Sequence, residues 1–145
     1  MATTTINYAA RASNHAGRVR ALSVAGAVLA AVAVWAIAVP LLGTHLVIRF
    51  GSGAAETVGL DYVVGASLAA SVAGWGSLAL LERRTARGRT IWTAVAIVAL
   101  VVSLSLPLTA GTTLSSKAAL ALMHVAVAAV LIPALRRSGA GPQHS

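Results

Sequence analysis

VRALSVAGAVLAAVAVWAIAVPLL, residues 19–42, carries a single charge, Arg20, at its edge and none beyond it. A helix rises 1.5 Å per residue, so about 20 residues cross the roughly 30 Å hydrocarbon layer of a bilayer. This stretch is long enough to span, and longer than a soluble core helix needs. Residues 62–81, 90–108 and 118–135 read the same way. The second of these is built largely of glycine, alanine and serine (GASLAASVAGWGS, 65–77), yet nothing charged lies between Asp61 and Glu82.

Composition agrees with four spans. The 145 residues are 58% hydrophobic and 10% charged, against about 25% charged in soluble proteins. The net charge of +8 comes from basic residues in short clusters between apolar blocks. That pattern points to membrane topology, whereas a nucleic-acid surface gathers its basic residues into a stripe on a folded domain. The absence of cysteine excludes disulfides, thiol redox chemistry, thiolate metal sites and iron–sulfur clusters.

Lysine and arginine counts in the flanks set the expected orientation. Arg11, Arg18, Arg20, Arg83, Arg84, Arg87, Arg89, Arg136 and Arg137 fall on one side of four alternating spans, and only Arg49 and Lys117 on the other. The richer side is the cytoplasmic one, so both termini are expected there. A cleaved signal peptide ending at Ala36–Ala38 is the competing reading of the first span. Its apolar run exceeds the 7 to 15 residues of a signal core, and three more spans follow.

Residues 1–18 and 138–145 are polar and small and are expected to be disordered cytoplasmic tails around one four-span domain, residues 19–137. The longest connection, GTHLVIRFGSGAAETVGLD (43–61), lies outside. Its HLVIRF stretch suits a short strand or an interfacial segment, and GSGAA suits a turn. ERRTARGR (82–89) allows only a tight turn between the second and third helices.

Lipid is as apolar as leucine, so helices in a bilayer associate by close packing and polar contacts. The second span offers small residues at four-residue steps, Gly65, Ala69, Ala73 and Ser77 beside Ala66, Ala70 and Gly74, which makes it the expected centre of the bundle. The first span offers Ser23, Ala27 and Ala31, with Gly26 and Ala30 alongside. Trp92 and Tyr62 fit interface anchors, and Trp35 and Trp75 fit packing positions.

The one ionisable side chain deep in a span is His124, in LALMHVAVAAVLIP (120–133). With the spans running alternately outward and inward, a layer roughly 10 Å below the outer surface holds Ala36, Ser67, Ser103 and His124. Pro40 and Pro107 lack the N–H that would serve the carbonyls of Ala36 and Ser103. A freed carbonyl in hydrocarbon needs a donor, so His124, Ser67 and Ser103 are expected to tie the layer together. A ligand or proton path competes with that reading, with His45, Arg49, Glu56 and Asp61 forming an outer vestibule or a loop staple. Haem would need a second histidine at matching depth, and His45 lies in the outer connection. No carboxylate lies well inside the membrane, and no nucleophile–base pair or phosphate-binding glycine loop is present.

Taken together, WAIAVPLLG (35–43), SVAGWGSLALLERR (71–84), LPLTAGTT (106–113) and LALMHVAVAAVLIPALRR (120–137) resemble an uncharacterised family of small four-span membrane proteins from high-GC Gram-positive bacteria, a domain of unknown function. The resemblance covers about residues 20–137. It implies a plasma-membrane protein and brings no activity, cofactor or catalytic residue with it.

The expectation is therefore an all-α integral membrane four-helix bundle, antiparallel and up-down-up-down, multi-pass in the cytoplasmic membrane. It is expected to be a non-enzymatic component or accessory subunit, partnered by the bilayer and by a homo-oligomer or another membrane protein. Neither nucleic acid, metal nor cofactor is expected. The alternative is a small transporter or channel-like oligomer with His124 in the path, and it lacks a membrane-buried acid to couple transport.

Overall fold

Each apolar run is helical, and on the arginine-rich side the helices continue past the limits that hydropathy set, because arginine is a good helix former whose charged head can still reach water. The computed structural model describes the backbone of residues 2–138 and the side chains of residues 17–138. In chain order the elements are α1 (Ala2–Ala36), a π-helical turn (Ile37–Leu41), β1 (Val47–Ile48), β2 (Glu56–Thr57), α2 (Leu60–Arg84), α3 (Gly88–Ser103), α4 (Ser105–Ala110) and α5 (Leu114–Arg137). Four stretches, Gly17–Leu41, Leu60–Arg84, Gly88–Ala110 and Leu114–Arg137, are long and apolar enough to cross a membrane. Leu22, Leu29, Val98, Val101 and Leu122 are all more than half exposed, as helix faces turned to lipid should be; on a water-soluble protein such a surface would invite aggregation.

Helical backbone begins at Ala2, so the segment expected as a disordered N-terminal tail joins α1. No proline interrupts it, and a helix already nucleated in the span propagates readily through alanine-rich sequence. From residue 139 onward the expected C-terminal tail lies outside the described residues.

Packing centres on α1 rather than α2. Ser23, Ala27 and Ala31 form its buried row, with Ala27 and Ala31 at 0% and 1% exposure, and these small side chains let α2 and α5 both approach closely. A Cβ added at Gly26 would lie 3.3 Å from Val130 of α5. From α2 only Val63, Ser67, Ser71 and Leu78 are buried, while Gly65, Ala66, Ala69 and Ala70 are exposed. Two apolar clusters result. One gathers Ala31, Leu46, Ile48, Val58, Val63 and Met123, and the other Ala27, Leu78, Trp92, Leu131 and Leu135.

The second cluster lies toward an arginine-rich end of the bundle, where α2 turns into α3 over three residues. Gly88 permits that turn: a Cβ there would sit 2.7 Å from the Leu81 carbonyl. The opposite end is closed by a hairpin. β1 pairs antiparallel with β2 in the register Val47–Thr57 and Ile48–Glu56, and Gly51 takes a positive φ of 56° in the turn between them, a conformation that suits glycine. On its other side Ile48 bridges Gly111, and the Arg49 N–H donates to the Ala110 carbonyl at 2.8 Å.

Ser116 locks this cap to α5. Its hydroxyl donates to the His45 carbonyl at 2.9 Å, and the Val47 N–H approaches the same oxygen at 3.4 Å. Leu46, Ile48 and Val58 are buried beneath the hairpin, and the Trp35 indole donates to the Val58 carbonyl at 3.2 Å. Thr113 caps α5 by accepting from the Ser116 N–H at 3.1 Å, the usual role of an N-cap hydroxyl.

Candidate functional site

Polar groups inside an apolar bundle must find partners, and in a helix the nearest acceptors are the carbonyls three and four residues back. All three polar side chains of the expected layer take that local option. The Ser67 hydroxyl donates to the Val63 carbonyl at 2.6 Å, the Ser103 hydroxyl to Leu100 at 2.8 Å, and His124 Nδ1 bonds the Leu120 carbonyl at 2.8 Å. Among the described residues none of them bridges to another helix.

Pro40 is answered by the backbone as well. Around Pro40 the helix widens into a π turn, Ile37–Leu41, in which each carbonyl bonds the N–H five residues on. Leu42 reaches the Ile37 carbonyl at 3.0 Å, and the same pattern gives the Ala36 carbonyl its donor at Leu41. Near Pro107 the chain ends α3 at Ser103 and restarts as α4 at Ser105. Pro107 thereby falls in a first turn, where an N–H has no intrahelical partner in any case.

Ser67, Ser103 and His124 all line one cavity of about 580 Å³ between α2, α3 and α5. Small side chains create it: Ala66, Ala70 and Ala73 from α2, Ala96 and Ala99 from α3, and Ala128 from α5 all face the space. Tyr62 stands at the hairpin end, and Trp92 and Ser77 mark the other limit. From Tyr62 to Ser77 along α2 is about 22 Å at 1.5 Å per residue.

Trp92 closes the arginine end. Expected as an interface anchor, it is 3% exposed, and its indole N–H is shared between the Gly74 carbonyl and the Ser77 hydroxyl, each 3.0 Å away. The glycine admits the indole and the Leu131 side chain together, since a Cβ at Gly74 would lie 3.3 Å from Leu131 Cδ2 and 3.8 Å from Trp92. Ser71, on the α2 face buried in the bundle, has a hydroxyl with no partner.

One polar centre escaped the sequence reading. Glu82 accepts from Arg20 of α1 at 2.7 Å and from Arg89 of α3 at 2.9 Å, and Arg20 also donates to Ser138 just beyond α5 at 3.2 Å. All four helices meet there. The signal available was the lone acid in an arginine-rich flank, which hydropathy treats only as a boundary. The expected loop staple is different: Arg49, Glu56 and Asp61 form no ion pair among the described residues, where the only ion pairs are those of Glu82. The Ala110 carbonyl holds Arg49 by its backbone N–H, and His45 contributes its carbonyl to Ser116. No group of histidine, aspartate and glutamate among the described residues is arranged to hold a metal ion.

Comparison with known proteins places the chain by sequence. No curated protein and no solved structure matches it. A family model does match, over residues 11–141, which takes in all four candidate membrane spans. The chain belongs to DUF6069, a family of unknown function.

Proposed function

We propose that the protein is a multi-pass, non-enzymatic component of the plasma membrane that acts by holding a small apolar molecule, taken from the bilayer, between α2, α3 and α5. The observation that carries this reading is the cavity of about 580 Å³ with alanine walls. Its size falls in the range of about 300–1,000 Å³ typical of ligand sites, which are mostly apolar. A non-enzymatic role is supported by the hydroxyls of Ser67 and Ser103, each committed to a backbone carbonyl and neither paired with His124. A transport path through His124 has less support, because the cavity ends on Trp92.

Both termini are assigned to the cytoplasm, with the helices antiparallel. Arg18, Arg83, Arg84, Arg87, Arg136 and Arg137 are exposed in the flanks of the spans, and positive flanks stay inside. Ser52→Cys in this cysteine-free chain is expected to react with an impermeant maleimide from outside intact cells; reaction only after permeabilisation would reverse the orientation.

The binding reading is tested by extracting purified protein and measuring the apolar molecules retained. Wild type is expected to retain more than an Ala70→Leu/Ala99→Leu double variant, which fills the cavity from two walls; equal retention would refute it. Self-association is the second reading, favoured by Gly65 and Ala69 lying exposed on α2. Oxidation of Ala69→Cys in membranes is expected to give a covalent dimer, and monomer alone would exclude that face.

A further inference from the structure

The hydrogen bonds inside the cavity limit what chemistry it can accept. Every N–H and O–H lining it below Tyr62 already has an acceptor. Ser67 donates to Val63, Ser103 to Leu100, Ser77 to Gly74, and the Trp92 indole to Gly74 and Ser77. His124 follows the same rule. A carbonyl oxygen only accepts, so the 2.8 Å contact between Nδ1 and the Leu120 carbonyl places the ring proton on Nδ1. In the neutral imidazole the other nitrogen, Nε2, is then an acceptor. His124 lines the cavity, and among the described residues its Nε2 has no hydrogen-bond partner, Nδ1 alone being engaged, on its own helix.

Below Tyr62, which stands at the hairpin end with its own O–H, the wall with a neutral imidazole therefore offers hydrocarbon and lone pairs, with no free donor. A carboxylate or phosphate would lose its hydration and gain no compensating bond. An ether or ester would bring only further acceptors. A hydroxyl brings the one group the wall lacks, and Nε2 is the strongest acceptor there to receive it. From His124 to Ile132, both lining residues, is about 12 Å along α5, which leaves room for an alkyl chain running toward Trp92.

Resting on the binding role proposed above, we infer that the ligand is a hydroxyl-bearing apolar molecule of the long-chain alcohol class, whose O–H donates to His124 Nε2 while its chain lies along the alanine walls. The test uses the full chain with Trp35→Phe and Trp75→Phe, so that Trp92 alone reports, in nanodiscs of phosphatidylcholine, a lipid without a hydroxyl donor. 1-Bromodecane is expected to quench Trp92 from within the cavity, and decan-1-ol, 1-methoxydecane and decanoate are compared as displacing molecules. The alcohol is expected to act at about threefold to tenfold lower concentration than the ether, the worth of one hydrogen bond, with decanoate weakest. His124→Phe is expected to erase the difference between alcohol and ether. Equal potency of alcohol and ether in the wild-type histidine background overturns the inference and leaves the apolar-binding role standing, and so does a difference that survives His124→Phe. Absence of any quenching by 1-bromodecane removes the binding role and this inference together. Should His124→Phe fail to fold, the alcohol-to-ether ratio of the parent chain decides alone.

Discussion

The Trp92 indole of α3 donates across the bundle to the Gly74 carbonyl of α2 at 3.0 Å. That contact holds α3 against α2 below the cavity, while the middle of α3 stands off behind Ala96 and Ala99. Trp92→Ala removes the closure and a buried ring, and is expected to cost about 3–5 kcal/mol. Trp92→Phe keeps most of the bulk and loses the donor, at about 1 kcal/mol. Unfolding in mixed micelles, followed by helical circular dichroism, reads both. Equal destabilisation by the two variants would show that the indole N–H, rather than the bulk, carries the contact.

At the arginine end, Glu82 joins Arg20 and Arg89. The three side chains are between 15% and 38% exposed, so the network belongs between a surface pair worth under about 1 kcal/mol and a fully buried one. Glu82→Gln is expected to destabilise by about 1–2 kcal/mol. Arg20→Gln added to it should cost less than it does alone, since both changes remove the Arg20–Glu82 bond and only the Arg20–Ser138 bond is lost in addition. Full additivity of the two substitutions in the same unfolding assay would rule the pairing out.

How far the sequence could be read depended on whether a feature is set by the whole segment or by a single bond. The four spans follow from long apolar runs, and residues 62–81 and 90–108 sit inside the helical stretches Leu60–Arg84 and Gly88–Ala110. Depth counting grouped Ser67, Ser103 and His124, which line one cavity, with Ala36, which does not. It could not show their bonding, because each group had a carbonyl on its own helix within reach, and a local bond needs no neighbour to be correctly placed. Pro40 misled for a related reason: a π turn re-satisfies the backbone without any side chain. The small-residue rows of α2 gave no sign of which side faced α1 and which faced the cavity, since alanine suits both. Glu82 was passed over because Arg20 of α1 lies far away in sequence and Arg89 is brought back to it only by the turn into α3.

Ser116 is wholly buried and is the only hydroxyl bonded to the His45 carbonyl among the described residues. Ser116→Ala leaves that carbonyl without its donor, and the expected cost is about 1–3 kcal/mol. Loosening should concentrate in the hairpin, so limited proteolysis between residues 43 and 59 is expected to accelerate while the Glu82 end keeps its protection. Unchanged cleavage would mean that β1 is held by its pairing with β2 and by Gly111 alone.

Quenching of Trp92 by 1-bromodecane measures occupancy of the cavity between α2, α3 and α5 most directly, because this indole is 3% exposed and forms the cavity's end. With Trp35→Phe and Trp75→Phe in place, saturable quenching is expected in the parent chain and its loss in the Ala70→Leu/Ala99→Leu variant. Quenching that never saturates, or that is equal in the filled variant, would mean that the bromoalkane reaches Trp92 only from the surrounding lipid, and that the protein does not hold an apolar molecule there.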